Sequence, residues 1–334
     1  MAGPHWIGNR CRPVPTGMSI RMKARNPQAR DHAGEQQFAG ANTHSDALPP
    51  IIGHLDSAVL PGQTFAVRLP ANLIPQFPIV GGRYFLVRCG CPAVTEGEVD
   101  WTHHLRRPLF VCGRQKMDRD ERWLLIPSIG RIDRRNDRES SPAKGQHGAD
   151  AGYAWLAKQE IGDPLDLLGP FGNGFSLLPE MQNLLLLADI EDDPAWFWKL
   201  LPLCEQALDK GGRVTYLIRA ANEESIAGLV PFLPVQVEVR TTLGASQWLE
   251  QVGSTLAWAD QVCAGVPAES YGELLTLVRT TRFRVDRNFA QVLVNADLLC
   301  GVGACLVCVI PIARGGLTRA CVHGPVFDLT DLAE

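Results

Sequence analysis

The sequence predicts an all-β unit followed by an α/β unit and a cysteine-rich tail, and three patterns support this fold class. Short apolar runs separated by turn residues fill positions 49 to 178, the rhythm of an antiparallel barrel or sandwich. Strand-type runs alternating with helix-length runs fill 179 to 290, which implies a parallel sheet with covering helices. Four of the ten cysteines crowd between Cys300 and Cys321, setting residues 291–334 apart as a binding segment. At about 150 residues per domain, 334 residues suffice for two such units.

Residues 1–48 are rich in Arg, Asn, Gln, Gly, Pro and His, and they show no sustained apolar period. Such a stretch cannot offset the entropy of ordering its backbone, so it reads as a disordered or loosely docked extension. In the β unit, strands are expected at Thr64 to Leu69, Tyr84 to Val87, Leu109 to Cys112 and Trp123 to Ile126. The charged stretch from Arg131 to Asp150, bearing Gly and Ser, reads as an exposed loop. Beyond Met181, Leu184 to Ala188 is a buried-type strand and Pro194 to Lys210 a helix. Further strands follow at Val214 to Ile218, Val235 to Val239 and Gln261 to Val266, with a helix from Ala268 to Thr281. No internal repeat interrupts this order.

Charge and hydropathy exclude several function classes. Lys and Arg number 32 against 36 Asp and Glu, for a net charge of -4, which speaks against a basic nucleic-acid surface or a polybasic membrane anchor. No run reaches the roughly 18 apolar residues of a membrane helix, and Met1 to Pro15 lacks the apolar stretch of a secretory signal. The expectation is a soluble, cytoplasmic protein.

In a reducing compartment a tight cysteine group reads first as a metal site. Cys300, Cys305, Cys308 and Cys321 follow C-x4-C-x2-C and a distant C, the plant-type spacing for a [2Fe–2S] cluster with two thiolates on each iron. Gly301 and Gly303 permit the positive φ angles that wrapping a cluster needs, and they let backbone N–H groups approach sulfur. Leu306, Val307, Val309 and Ile310 are expected to shield the site from water. Zinc usually shows two paired C-x2-C elements where this chain has one, and four buried metal-free cysteines are a further alternative. His323 reads as a neighbour of the site and not a ligand.

Two other stretches carry weaker signals. Gly162 to Phe175 reads as a strand ending in a glycine-dense turn, and Arg106-Arg107-Pro108-Leu109 puts two guanidiniums at the start of another strand. Such an Arg could hold a pyrophosphate or simply face solvent.

These blocks together with the cysteine block resemble the electron-transfer subunit of class B dihydroorotate dehydrogenase, a branch of the ferredoxin reductase-like superfamily. The likeness runs in order from about Pro49 to Glu334. It implies an FAD-binding β-barrel (49–178), a nucleotide-binding-type α/β domain (179–290) and a [2Fe–2S] segment (291–334). Arg107, Pro108 and Leu109 would contact FAD, with Gly152 and Tyr153 near the flavin phosphates. The implied partner is a catalytic flavoprotein subunit that oxidises dihydroorotate in pyrimidine synthesis, within a hetero-oligomer. Phe110 stands where the family usually has Ser, which removes a hydroxyl. The turn Asp189-Ile190-Glu191-Asp192-Asp193-Pro194 has four carboxylates and no glycine where a dinucleotide turn would be glycine-rich. Cys263-Ala264-Gly265-Val266-Pro267 alters the usual Cys-Gly-Pro, leaving Arg219 as a candidate adenosine-phosphate contact. NAD(H) binding is therefore expected to be lost or much impaired, and a non-enzymatic iron–sulfur adapter is the alternative reading.

Overall fold

The computed structural model describes residues 51–60, 64–70, 81–90, 105–116, 120–127, 150–156, 158–191 and 193–333. The expected extension (1–48) and nearly all of the expected 131–150 loop lie outside the described residues.

Six antiparallel strands form the first unit: β1 (Ile51–Leu60), β2 (Thr64–Pro70), β3 (Tyr84–Val87), β4 (Arg107–Lys116), β5 (Asp120–Pro127) and β6 (Pro164–Phe171). A six-residue helix, α1 (Ala151–Leu156), precedes β6. The strands close in the order β1-β2-β5-β4-β3-β6, so the unit is a barrel and not a sandwich. β3 and β4 read as unbroken apolar runs because both of their faces are covered. Phe85, Val87, Leu109 and Val111 fill the barrel, while Tyr84, Leu86, Phe110 and Cys112 point outward into a core shared with the second unit.

The second unit has β7 (Asn183–Asp189), α2 (Ala195–Asp209), β8 (Arg213–Arg219), α3 (Glu223–Ala227), β9 (Glu238–Thr242), α4 (Ala245–Leu256), β10 (Gln261–Gly265), α5 (Tyr271–Thr281) and β11 (Ala290–Leu293). Beyond β11 come a hairpin of β12 (Val309–Ile312) and β13 (Gly316–Arg319), a short helix α6 (Ala320–His323), and β14 (Val326–Asp328). The sheet order is β14-β11-β10-β7-β8-β9, parallel except for β14, which runs antiparallel to β11.

Helix α2 is apolar nearly all round because it lies between the sheet and the barrel. Helices α4 and α5 cover the opposite face over Leu185, Leu187, Val262 and Val292. The Ala268 to Thr281 run begins with a 3-10 turn, Ala268–Ser270, before α5. The strand expected at Val235 to Val239 lies instead at Glu238–Thr242, and Val235 is fully exposed.

Candidate functional site

The cysteine segment leaves the sheet after β11 and re-enters it at β14. Cys300, Cys305 and Cys308 lie on the loop before β12, and Cys321 lies on α6. Two pairs result. The Sγ atoms of Cys300 and Cys305 are 3.3 Å apart, and the Cys308 Sγ accepts the Cys321 backbone N–H at 3.5 Å with the two thiols in contact. For a metal–thiolate bond of about 2.3 Å and tetrahedral angles, two sulfurs on one ion sit about 3.8 Å apart, close to this spacing. Among the described residues no three His, Cys, Asp or Glu side chains converge on a single ion position. The thiols come two and two, which suits a pair of irons better than one zinc.

Backbone conformation sets this geometry. Gly301 and Gly303 have φ of 71° and 73°, in the left-handed region. A Cβ on Gly301 would lie 3.0 Å from the Phe171 ring, and one on Gly303 would lie 2.8 Å from the Val322 side chain. Leu306, at φ 58°, adopts the same region without being glycine. Burial pushes the Cys300 thiol up, but N–H groups of Cys305, Val302 and Ala304 outweigh it and hold this thiol at about 6. Burial and then contact with Cys308 push Cys321 up to about 12. Four thiolates this close cannot all ionise without cations among them, so the donor set fits a cationic cluster.

Cys308 and Cys321 are buried and Cys305 is exposed. The expected apolar shield is incomplete: Leu306 and Val307 are 59% and 44% exposed, and Val309 and Ile310 are half-buried. Leu306 and Val307 lie at and just after the left-handed turn, on the loop and not on β12. His323 is exposed, with Nδ1 3.0 Å from Thr318 Oγ1 and its carbonyl accepting from Asn173 Nδ2.

Tyr84, which the sequence reading did not single out, lies beside this segment. Its ring packs against Phe171 at 6.0 Å between centroids, and Phe171 in turn backs Gly301. Tyr84 is fully buried, yet its hydroxyl has no hydrogen-bond partner among the described residues. An unsatisfied buried hydroxyl costs about 1–3 kcal/mol, so it points to a missing acceptor. Its only sequence signal is a Tyr within an apolar strand.

The flavin candidates converge on one carboxylate. Arg107 Nε lies 2.9 Å from both oxygens of Asp150, and the Tyr153 N–H donates to Asp150 Oδ1 at 3.0 Å. The Tyr153 hydroxyl donates to the Pro108 carbonyl at 2.7 Å, and a Cβ on Gly152 would meet Asp150 and Arg107 at 3.0–3.1 Å. Leu109 points into the barrel. Arg106 is held by both oxygens of Asp166 at 2.9 Å and by the Leu86 carbonyl. Burial raises the Asp150 pKa, but Arg107 and the Tyr153 and Gly152 amides bring it below the usual carboxylate range. The donors fit an anion such as a flavin phosphate, and Asp150 already supplies one. Neither arginine is simply a solvated side chain.

At the carboxyl ends of β7 and β10, where an open α/β sheet places its ligand crevice, the acidic turn is largely neutralised from within. Asp189 pairs with Arg219, so Arg219 is not left for a phosphate. Glu191 lies 3.6 Å from the same guanidinium. Asp193 is buried, accepts the Ala195 N–H at 2.9 Å and pairs with the buried Lys199 at 3.3 Å. The Lys199 Nζ sits 4.5 Å from the Trp196 ring centroid and 4.8 Å from that of Phe110. Trp196 lies flush on Gly265, where a Cβ would come within 2.6 Å of the indole. Cys263 is fully buried and its thiol is pushed up by burial. On the α4–α5 side, the cavity lined by Leu187, Arg219, Trp248, Val266 and Leu274 holds only ≈ 30 Å³, against roughly 300–1,000 Å³ for ligand pockets.

Residues 295–333 match the family described as the iron–sulfur cluster binding domain of dihydroorotate dehydrogenase B. The electron transfer subunit of dihydroorotate dehydrogenase B (NAD(+)) from Shouchella clausii is 28% identical over 195 residues, covering 54% of this chain and 70% of that protein. The subunit of the same name from Streptococcus pneumoniae serotype 4 is 26% identical over 233 residues, covering 68% and 82%. Among solved structures, an NADH-dependent reduced ferredoxin-NADP oxidoreductase superposes with a TM-score of 0.57 at 17% identity, over 84% of this chain and 89% of that one. The fold is ferredoxin reductase-like.

Proposed function

We propose that this chain, a ferredoxin reductase-like barrel and α/β unit ending in a dihydroorotate dehydrogenase B-type iron–sulfur binding segment, is the electron-transfer subunit of such an enzyme in pyrimidine biosynthesis. The observation that carries the reading is the pairing of four thiols, Cys300 with Cys305 and Cys308 with Cys321, inside a loop that matches that segment. A [2Fe–2S] cluster exchanges single electrons and FAD pairs of them, so the two together join two-electron to one-electron chemistry. Cys308 and Cys321 anchor the buried side of the centre, and Cys305 presents its outer edge to solvent. Val302, Leu306 and Val307 surround that edge with exposed apolar surface, a face suited to a catalytic flavoprotein subunit. Arg107, Pro108, Gly152 and Tyr153 form the flavin side, with the Leu109 side chain turned away from it into the barrel, and there a phosphate competes with Asp150 for Arg107. The described cysteines carry no disulfide, in keeping with a cytoplasmic setting, and no described helix is long and apolar enough to cross a membrane.

A second reading, an iron–sulfur adapter that takes no electrons from nicotinamide, is favoured by one observation: Trp196, Lys199 and Asp193 fill the crevice beside Gly265. Iron, acid-labile sulfide and flavin analysis of anaerobically prepared protein tests the cofactors. Stopped-flow mixing with NADH then separates the readings, since rapid bleaching refutes the adapter and reduction only by dithionite or a partner supports it. Iron-free, sulfide-free protein refutes both.

A further inference from the structure

Two buried tyrosines in the same core invite comparison. The hydroxyl of Tyr216 donates to the Phe197 carbonyl at 2.8 Å, as a buried phenol is expected to. That of Tyr84 has no partner among the described residues, although Tyr84 is equally sealed from solvent. Its ring lies between barrel residues Phe110 and Phe171 and the chain around Pro325 of the cysteine segment. The Cε1 atom, next to the hydroxyl-bearing carbon, would lie 3.0 Å from a Cβ placed on Gly172, and Pro325 Cδ would lie 2.6 Å from that same Cβ. Pro325 is four residues beyond Cys321, and Cys308 and Cys321 belong to the same buried cluster as Tyr84. The Phe171 ring, 6.0 Å from that of Tyr84 between centroids, is also the group that a Cβ on Gly301 would meet at 3.0 Å, between Cys300 and Cys305 in sequence.

We propose that the Tyr84 hydroxyl is a hydrogen-bond donor to a sulfur on the Cys308–Cys321 side of the iron–sulfur centre and that it raises the centre's reduction potential. The inference rests on the cluster reading above and adds a potential-setting residue contributed by the barrel. The physical reason is charge: reduction adds a negative charge to the sulfurs, and a donor aimed at them from a dry site favours the reduced form more than the oxidised one. Tyr84 is a positioning and tuning residue, outside the ligand set. Because it lies on β3, whose next residue Phe85 faces the barrel interior, it also links the cluster mechanically to the flavin unit.

The test is an anaerobic redox titration of the full chain followed by electron paramagnetic resonance, comparing wild type, Tyr84→Phe and the control Tyr216→Phe. In Y84F the ring packing persists and the donor is lost. The expected result is unchanged iron and sulfide content with reduction disfavoured about tenfold, a potential lower by about 59 mV for one electron. A coupled exchangeable proton should be seen by electron–nuclear double resonance in the reduced wild type and be absent from Y84F. Y216F should match wild type in both respects. An unmoved potential with the proton signal intact in iron-loaded Y84F overturns the inference alone. Iron loss from a folded Y84F also overturns it, because the hydroxyl would then be needed to hold the cluster. A wild-type chain that takes up no iron removes the cluster reading and this inference together.

Discussion

Replacing Lys199 by Met tests whether the crevice between barrel and sheet is filled by a true buried ion pair. The two side chains are 1% and 6% exposed, and their charged atoms lie 3.3 Å apart. Methionine keeps the length and apolar stem of lysine but removes the ammonium. Among the described residues, the Asp193 carboxylate would then be left with the Ala195 N–H. Breaking one side of a buried pair costs about 3–5 kcal/mol. The reciprocal change, Asp193→Asn, keeps an acceptor for Ala195 and leaves the ammonium between the faces of Trp196 and Phe110. Each such face is worth about 2 kcal/mol when desolvated, so the loss should be smaller, about 1–3 kcal/mol. With both charges gone the site is neutral and nearly isosteric, the carboxamide oxygen at position 193 still accepting the Ala195 N–H, and the double variant should return to within about 1 kcal/mol of wild type. The assay is urea unfolding followed by tryptophan fluorescence, to which Trp196 and Trp198 contribute from the same helix. At about 2–4 °C per kcal/mol, K199M should also lower Tm by roughly 6–20 °C. The reasoning is refuted if K199M lies within about 1 kcal/mol of wild type, or if the double variant is as unstable as the two singles summed.

Further outcomes are expected elsewhere. Cys305→Ser should abolish or greatly reduce iron content, whereas Cys204→Ser, at a buried cysteine on α2 outside the segment, should leave it unchanged; inductively coupled plasma analysis reads both. Asp150→Asn should raise FAD affinity on the order of tenfold by releasing Arg107 to a phosphate, and a flavin-fluorescence titration showing weaker binding would count against the competition. Gly301→Ala places a Cβ 3.0 Å from Phe171 at φ 71°. It should destabilise the loop by at least about 1–2 kcal/mol and lower cluster occupancy, visible as reduced absorbance. Because the folded pKa of Asp150 is depressed, its contribution is present above the unfolded value of about 3.9 and lost as pH falls through the folded one. Acid unfolding should therefore be shallower in D150N than in wild type.

Much of this arrangement is legible in the chain, because local pattern decides it. The apolar runs around Phe85 and Leu109 announce buried strands, and the cysteine spacing with its two glycines announces the wrapped loop. Other features are not local. Nothing at Arg107 says that Asp150, 43 residues away, will hold it, or that Asp166, 60 residues from Arg106, will hold the other guanidinium. The acidic turn looks repulsive in one dimension, but Arg219 and Lys199 neutralise its buried members only after β8 and α2 have packed. Helix α4 carried a usable signal, since Trp248, Val252, Thr255 and Leu256 recur at helical spacing, yet its polar background and lack of a side-chain cap obscured it. The Val235 to Val239 alternation points three residues ahead of β9, because an edge strand can take polar residues that an apolar count passes over.

The cysteine loop begins and ends on adjacent strands, with Leu293 of β11 opposite Val326 of β14. The sheet therefore supplies the closure of this excursion, and uptake of metal need only settle residues between two fixed posts. Protease nicking within the metal-free loop should accordingly leave the carboxyl-terminal fragment riveted to the body, separable only by denaturant.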